Sequence, residues 1–174
     1  HTAYRRQRQM CIRDSTVTSP MTLNISSFSN VQDLHKSVTP ELSNSDSTLL
    51  HLWAHSDKYR LGGSALYQSF KLYGGATPDI DDVDLFKAMF EASQELLDRN
   101  LIEAMHDISD GGLITSLIEM ALCSNQGLSI NLDYSDKEQI VPKLFSEEAG
   151  LVIEVNNEKL LSLIHISEPT RQEA

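Results

Sequence analysis

Seven residues near the middle of the chain, His-Asp-Ile-Ser-Asp-Gly-Gly, combine side chains that suit a phosphate and a metal ion. An apolar stretch follows, so the motif is predicted to begin a helix, where free N–H groups and the macrodipole favour an anion. Gly111 and Gly112 would let a phosphate approach the backbone, and Ser109 would donate a hydrogen bond to it. Asp107 and Asp110 would repel that phosphate unless Mg²⁺ lay between them. The functional interpretation of the motif is therefore a magnesium–nucleotide site.

The same residues have a plainer, structural interpretation. Their chemistry alone favours it over a ligand site, although both interpretations remain open. Ser109 or Asp110 would simply cap the helix, with the other acid near the macrodipole, and His106 would be a satisfied turn residue. The spacing is also not that of a P-loop.

Other polar residues are weaker candidates. His51 and His55 fall on one face of a predicted strand, but no third metal ligand is near in sequence, so we expect packed or surface roles. Glu147 and Glu148 are adjacent and would point to opposite faces of extended chain, which excludes a direct acid–base pair. Arg60 precedes two glycines at a predicted helix start. Either Arg60 and the backbone there bind an anion, or the glycines are present because they allow close packing.

Both ends of the chain differ from the sequence between them. One choice of codons for residues 10–15 has a reverse complement that encodes residues 161–165, so both ends can derive from one inverted DNA element. They resemble translated transposase-type sequencing adapters and are left out of the fold prediction. We therefore expect native sequence from about Thr16 to Leu160, truncated at both ends.

Composition limits the partners. Residues 16–160 contain nine Lys and Arg and 22 Asp and Glu, a formal charge of −13. Without a basic stripe, such a body repels nucleic acid and anionic membranes, and neither is an expected partner. The N-terminus lacks the apolar core of a signal peptide and contains no membrane span. Cys123, predicted on the core face of a helix, would be the lone native cysteine, which indicates a reducing cytoplasmic setting.

The elements predicted around the motif alternate without a regular βαβ rhythm. The class is therefore α+β, a mixed β-sheet packed with helices. Strands are predicted by alternation and helices by period and capping, with Pro142 expected to break the segment that contains it. The strands are 21–28, 48–54, 101–105, 128–132 and 151–155, and the helices lie within 60–75, at 83–99 and at 112–123.

Three blocks, in order, resemble the phosphoribosylformylglycinamidine synthase family of purine synthesis. They are "YRLGGSALYQSF" from residue 59, "HDISDGGL" from residue 106 and "LFSEEAGLVIEV" from residue 144. The resemblance covers nearly all of residues 16–160. It implies a fold like the C-terminal domain of aminoimidazole ribonucleotide (AIR) synthetase, and a fragment from the second half of a larger enzyme. The implied domains are a preceding ATP-binding-type domain and linker at 16–47 and this incomplete domain at 48–160, with adapter-derived residues at 1–15 and 161–174.

The resemblance also implies the roles of single residues. Asp107 would ligate Mg²⁺ and Ser109 would contact ATP or ADP, at an auxiliary site whose nucleotide is structural and is not consumed. No catalytic residue is expected here, since the family's catalytic histidine and glutaminase triad lie elsewhere. The intact enzyme would use ATP and ammonia from glutamine, with its neighbouring domains as partners. The alternatives are another ATP-dependent enzyme of this superfamily or a non-catalytic nucleotide-binding module.

Overall fold

The computed structural model describes residues 25–31, 33–43, 46–54, 58–131 and 137–160. The chain divides into two compact units, residues 1–32 and residues 33–174. In the first unit, residues 25–28 form no strand, and Ile25 and Phe28 are 78% and 95% exposed. The predicted strand at 21–28 is therefore wrong for these four residues, and 21–24 lie outside the described residues. Alternation produces a strand only where a partner receives the backbone hydrogen bonds.

The second unit is built on a three-stranded sheet. The strand order is β1-β3-β2, and both pairs are antiparallel. The α+β class predicted from the sequence is confirmed. The sequence predicted a mixed sheet, and the described strands pair only in the antiparallel direction. The strands are β1 (Ser47–Trp53), β2 (Ala104–Asp107) and β3 (Gly150–Asn156).

The described residues also form four α-helices, and capping explains where two of them begin. The carboxylate of Asp82 accepts the N–H of Leu85, and the hydroxyl of Ser64 accepts the N–H of Tyr67. Such caps satisfy donors that have no partner within the helix. The helices are α1 (Ala65–Ser69), α2 (Val83–Asp98), α3 (Gly112–Ser124) and α4 (Lys137–Phe145).

The central strand β3 has apolar residues on both faces because helices pack on each side of the sheet. Val152 clusters with Met120 of α3, whereas Ile153 clusters with Leu96 of α2. Successive side chains of a strand point to opposite faces, so α2 and α3 lie on opposite sides of β3. All four side chains are at most 5% exposed. The core therefore fixes where the N-terminus of α3 lies relative to the sheet.

The chain before β1 also packs on the sheet. Leu42 is buried in the cluster with Val152. Glu154, 1% exposed, accepts hydrogen bonds from the backbone N–H and hydroxyl of Ser43 and from the hydroxyl of Ser47. These donors satisfy a buried carboxylate that would otherwise be costly. The domain boundary at 47/48 stays a prediction.

Three local predictions differ from the structure. Residues 128–131 form no strand, and Leu132 lies outside the described residues. Pro142 lies inside α4 and does not break the segment. Cys123, predicted on the core face, is exposed because it lies in the last turn of α3, beyond Met120, the last buried residue of the helix. Among the described residues, no helix has both the length and the apolar character that crossing a membrane requires.

Candidate functional site: the turn between β2 and α3

The motif forms the end of β2, a turn and the start of α3. β2 continues to Asp107, two residues beyond the predicted end, and His106 and Asp107 pair with Val152 and Leu151. The prediction that the turn begins at His106 is therefore wrong. Pairing with β3 extends the strand, and polar side chains are tolerated because His106 is half-buried and Asp107 is exposed.

His106 is satisfied by neighbours, as the plainer interpretation expects. Its Nε2 lies 3.0 Å from Oε2 of Glu119, and its Nδ1 lies 2.7 Å from the carbonyl oxygen of Asp107. The hydroxyl of Ser116 donates to the same carbonyl at 2.9 Å. These contacts fix the end of β2 against α3, while the Asp107 side chain remains 71% exposed.

The two glycines have specific backbone reasons to be glycine. Gly111 and Gly112 have φ of +88° and +73°, a region that L side chains rarely adopt. A Cβ on Gly112 would lie 2.7 Å from backbone atoms of Phe145 and Ser146, and one on Gly111 would lie 2.2 Å from the Thr115 hydroxyl oxygen. Close packing with the end of α4 therefore explains Gly112 without a bound phosphate.

The helix start does not use Ser109 or Asp110 as a cap. The N-cap of α3 is Gly111, with no side-chain cap hydrogen bond. The capping interpretation of Ser109 and Asp110 is therefore wrong. Both side chains are exposed, as is that of Asp107, two residues before Ser109. Three polar side chains of the motif thus face solvent at one turn.

Glu147 contacts the turn instead, although it is distant in sequence. Its Oε1 accepts the N–H of Gly111 at 2.8 Å and the N–H of Ala65, at the start of α1, also at 2.8 Å. A carboxylate is favoured at helix starts by the macrodipole. The N–H of Gly111, one of the helix-start donors predicted to be free for a phosphate, is therefore already bonded within the protein.

The adjacent Glu148 has a different partner. Its carboxylate forms a bidentate pair with Arg60, from Nε at 2.6 Å and from Nη2 at 2.7 Å. This pair raises the pKa of Arg60 above its ordinary value, chiefly through the hydrogen bond to Glu148. Arg60 also contacts Asp81 at 3.1 Å. The anion-binding alternative for Arg60 is therefore wrong, since its guanidinium is already committed to carboxylates.

The glycines after Arg60 have the packing role. A Cβ on Gly62 would lie 2.6 Å from the carbonyl oxygens of Gly75 and Ala76. The sequence draws attention to Glu147 and Glu148 but not to their partners, which lie 36 to 88 residues away. The available signal was two adjacent acids inside an otherwise apolar segment, where buried charge requires a partner.

A magnesium ion would need ligands from outside the protein. Within the described residues, no three His, Cys, Asp or Glu side chains are grouped so that they could hold a metal ion. His51 is half-buried with its ring 5.3 Å from Trp53, and His55 lies outside those residues. The carboxylates of Asp107 and Asp110 are exposed, so phosphate and water would have to supply most of the six oxygens around a Mg²⁺ ion held there.

Comparison with known proteins identifies the domain. The family described as "AIR synthase related protein, C-terminal domain" matches residues 52–172, more than half of the chain. The chain belongs to this family. The AIR-synthase C-terminal-like fold expected from the sequence is confirmed. The match continues past Leu160, and the adapter origin of residues 161–174 stays a prediction.

Curated relatives confirm the resemblance to the synthase family. The chain is 43% identical over 146 residues to "Probable phosphoribosylformylglycinamidine synthase, chloroplastic/mitochondrial" of Arabidopsis thaliana. It is 37% identical over 158 residues to "Phosphoribosylformylglycinamidine synthase" of Schizosaccharomyces pombe. These alignments cover 83% and 88% of this chain but 10% and 12% of the relatives. This chain thus spans about a tenth of the length of these relatives.

Solved structures share the fold. Thermotoga maritima PurL complexed with FGAR (formylglycinamide ribonucleotide) matches with a TM-score of 0.60 and 19% identity. T. maritima PurL complexed with ATP matches with a TM-score of 0.52 and 14% identity. Each match covers 77% of this chain, and 24% and 21% of the two PurL chains.

Proposed function

We propose that this chain is part of a phosphoribosylformylglycinamidine synthase. That enzyme would convert formylglycinamide ribonucleotide to formylglycinamidine ribonucleotide in purine biosynthesis, as an ATP-dependent amidoligase with glutamine as amide donor. The likeness to two synthases of known name carries the proposal, since it extends over more than four fifths of the chain. Cytoplasmic location belongs to the same proposal. The fragment supplies architecture and an interdomain face, and no turnover of its own.

The turn is the part of the fragment that we assign to ligand binding. Ser109 would donate to a phosphate oxygen of ATP or ADP, and Asp107 and Asp110 would hold Mg²⁺ against that phosphate. All three side chains are exposed and none is consumed in capping α3, which supports this assignment. Gly111 and Gly112 would shape the backbone of the site. PurL structures complexed with ATP and ADP support a nucleotide as the ligand class.

A chimera tests the proposed function. Residues 16–160 would replace the matching segment of the S. pombe synthase in a strain that lacks its own synthase. A second chimera carrying the matching Arabidopsis segment controls for tolerance to exchange. We expect both to restore growth without added purine. The proposal is contradicted if the Arabidopsis chimera supports growth while the chimera with this chain, present at equal soluble level, does not.

A further inference from the structure

Glu147 connects two parts of the chain that are far apart in sequence. One carboxylate oxygen accepts N–H groups from Gly111, at the nucleotide turn, and from Ala65, at the start of α1. Both distances are 2.8 Å, typical of strong charge-assisted hydrogen bonds. The same oxygen therefore holds the start of α1 and the N-cap of α3 at a fixed separation.

The backbone on either side of Glu147 is itself held in place. Ser146 and Glu148 are 5% and 4% exposed, and Glu148 is paired with Arg60. The backbone of Ser146 lies so close to Gly112 that a Cβ there would overlap it. Because the residues on both sides of Glu147 are fixed, its carboxylate can restrain the backbone of Gly111 and would not simply move together with it.

From this arrangement we propose that Glu147 is a positioning residue that shapes the nucleotide turn and couples it to the start of α1. It holds Gly111 in the left-handed conformation that leaves Ser109 and Asp110 facing solvent. The proposal rests on the proposed function of the turn, and its structural half can be measured without a ligand. Nucleotide binding at the turn should therefore change the hydrogen-exchange protection of the Ala65 amide, through the shared carboxylate of Glu147.

The negative charge of Glu147 also shapes selectivity. Because its oxygen occupies the N–H of Gly111, a phosphate is kept from that donor by both steric and electrostatic repulsion. The phosphate must then approach through Ser109 and a cation held by Asp107 and Asp110. A nucleotide bound with Mg²⁺ is favoured over the free nucleotide for this reason.

The test uses three substitutions in the 174-residue chain and two readouts. Glu147→Gln keeps an acceptor oxygen without the charge, Glu147→Asp keeps the charge but shortens the reach, and Glu147→Ala removes both. Glu138→Ala, at an exposed acid of α4, is the matched control. Calorimetry measures affinity for ADP with and without Mg²⁺, and hydrogen exchange measures protection of the Gly111 and Ala65 amides.

We expect Glu147→Ala and Glu147→Asp to lower Mg·ADP affinity by about tenfold, as loss of a charge-assisted hydrogen bond would. Both variants should also speed exchange at both amides. Glu147→Gln should keep Mg·ADP affinity within about twofold of the original chain, because it retains the acceptor oxygen. Its affinity for ADP should depend less on Mg²⁺, because the negative charge is gone. Mg·ADP should protect the Ala65 amide in the original chain, in Glu147→Gln and in the control Glu138→Ala, but in neither Glu147→Ala nor Glu147→Asp.

The outcomes separate the two proposals. If the original chain does not bind Mg·ADP, the proposed function of the turn fails, and amide exchange still decides whether Glu147 holds Gly111 and Ala65. If the chain binds but Glu147→Asp keeps full affinity and normal exchange, the positioning role is overturned. Should Glu147→Ala fail to fold, the comparison of Glu147→Asp with Glu147→Gln decides the question alone.

Discussion

Arg60 and Glu148 form a bidentate ion pair across 88 residues of sequence, with 13% and 3% of their side chains exposed. The pair joins the segment before α1 to the segment before β3. Beside it, Glu147 joins α1 to the turn. Two adjacent glutamates therefore gather the three sequence blocks that carried the family resemblance into one region of the fold.

Loss of this ion pair should destabilise the domain strongly. Arg60→Met is expected to lower the free energy of unfolding by about 3 kcal/mol, because Glu148 would be left buried and unpaired. Arg60→Lys should recover only part of this, since an ammonium cannot form the bidentate pair. Urea denaturation measures both. Arg99→Met is the control, because Arg99 pairs with Glu95 where both side chains are about half exposed. Equal effects of Arg60→Met and Arg99→Met would contradict the assignment.

Stability should also depend on pH through Asp81. A hydrogen bond from Lys58, with the charge of Arg60 nearby, lowers the pKa of Asp81 below its ordinary value of 3.8. A carboxyl whose pKa is lower in the folded state adds stability above its unfolded pKa and loses it as the pH falls through its folded pKa.

The check compares urea midpoints at pH 7 and about pH 3 for the original chain and Asp81→Asn. The variant should be less stable at pH 7 and should lose less on acidification. Asp84→Asn, at an exposed acid in the first turn of α2, is the control. Identical pH dependence in the original chain and Asp81→Asn would exclude the contribution of this group.

The glycines provide a graded test of packing at the turn. Gly112→Ala should destabilise by about 3 kcal/mol or more, because it adds both a backbone clash and a strained φ. Gly74→Ala, with a φ of +89° in open space, should cost about 1–2 kcal/mol from strain alone. Gly127→Ala, with open space and no positive φ, should be within about 1 kcal/mol of the original. Thermal or urea unfolding would reveal this order, and a neutral Gly112→Ala would refute the close contact with α4.

Local signals were sufficient where an element's own sequence determines it. Asp82 and the helical period that follows it predict α2 to within a residue of its observed end at Asp98. The mainly apolar run near residue 151 likewise predicts β3, because a strand covered on both faces carries apolar residues on both; the buried Glu154 is the exception. Both elements can be predicted from features that lie within the element or a few residues from its ends.

Features that depend on distant residues could not be read locally. β2 extends to Asp107 because β3 supplies its hydrogen-bonding partner, and an alternating pattern at 128–131 forms no strand. Sequence spacing placed the two adjacent glutamates on opposite sides of extended chain, whereas their roles come from Arg60 and Gly111, far along the chain. The residue types of the turn indicate a candidate site, but they do not indicate that Glu147 holds the turn in place.

Nucleotide binding at the turn is the central claim, and calorimetry of Mg·ADP with the 174-residue chain tests it most directly. We expect saturable binding that Asp107→Asn and Ser109→Ala each weaken by about tenfold, since each removes a contact to the ion or phosphate. Asp84→Asn, an equal loss of charge at another helix start, should leave affinity unchanged. Binding that ignores Asp107 and Ser109, or no binding by the folded chain, would contradict the account.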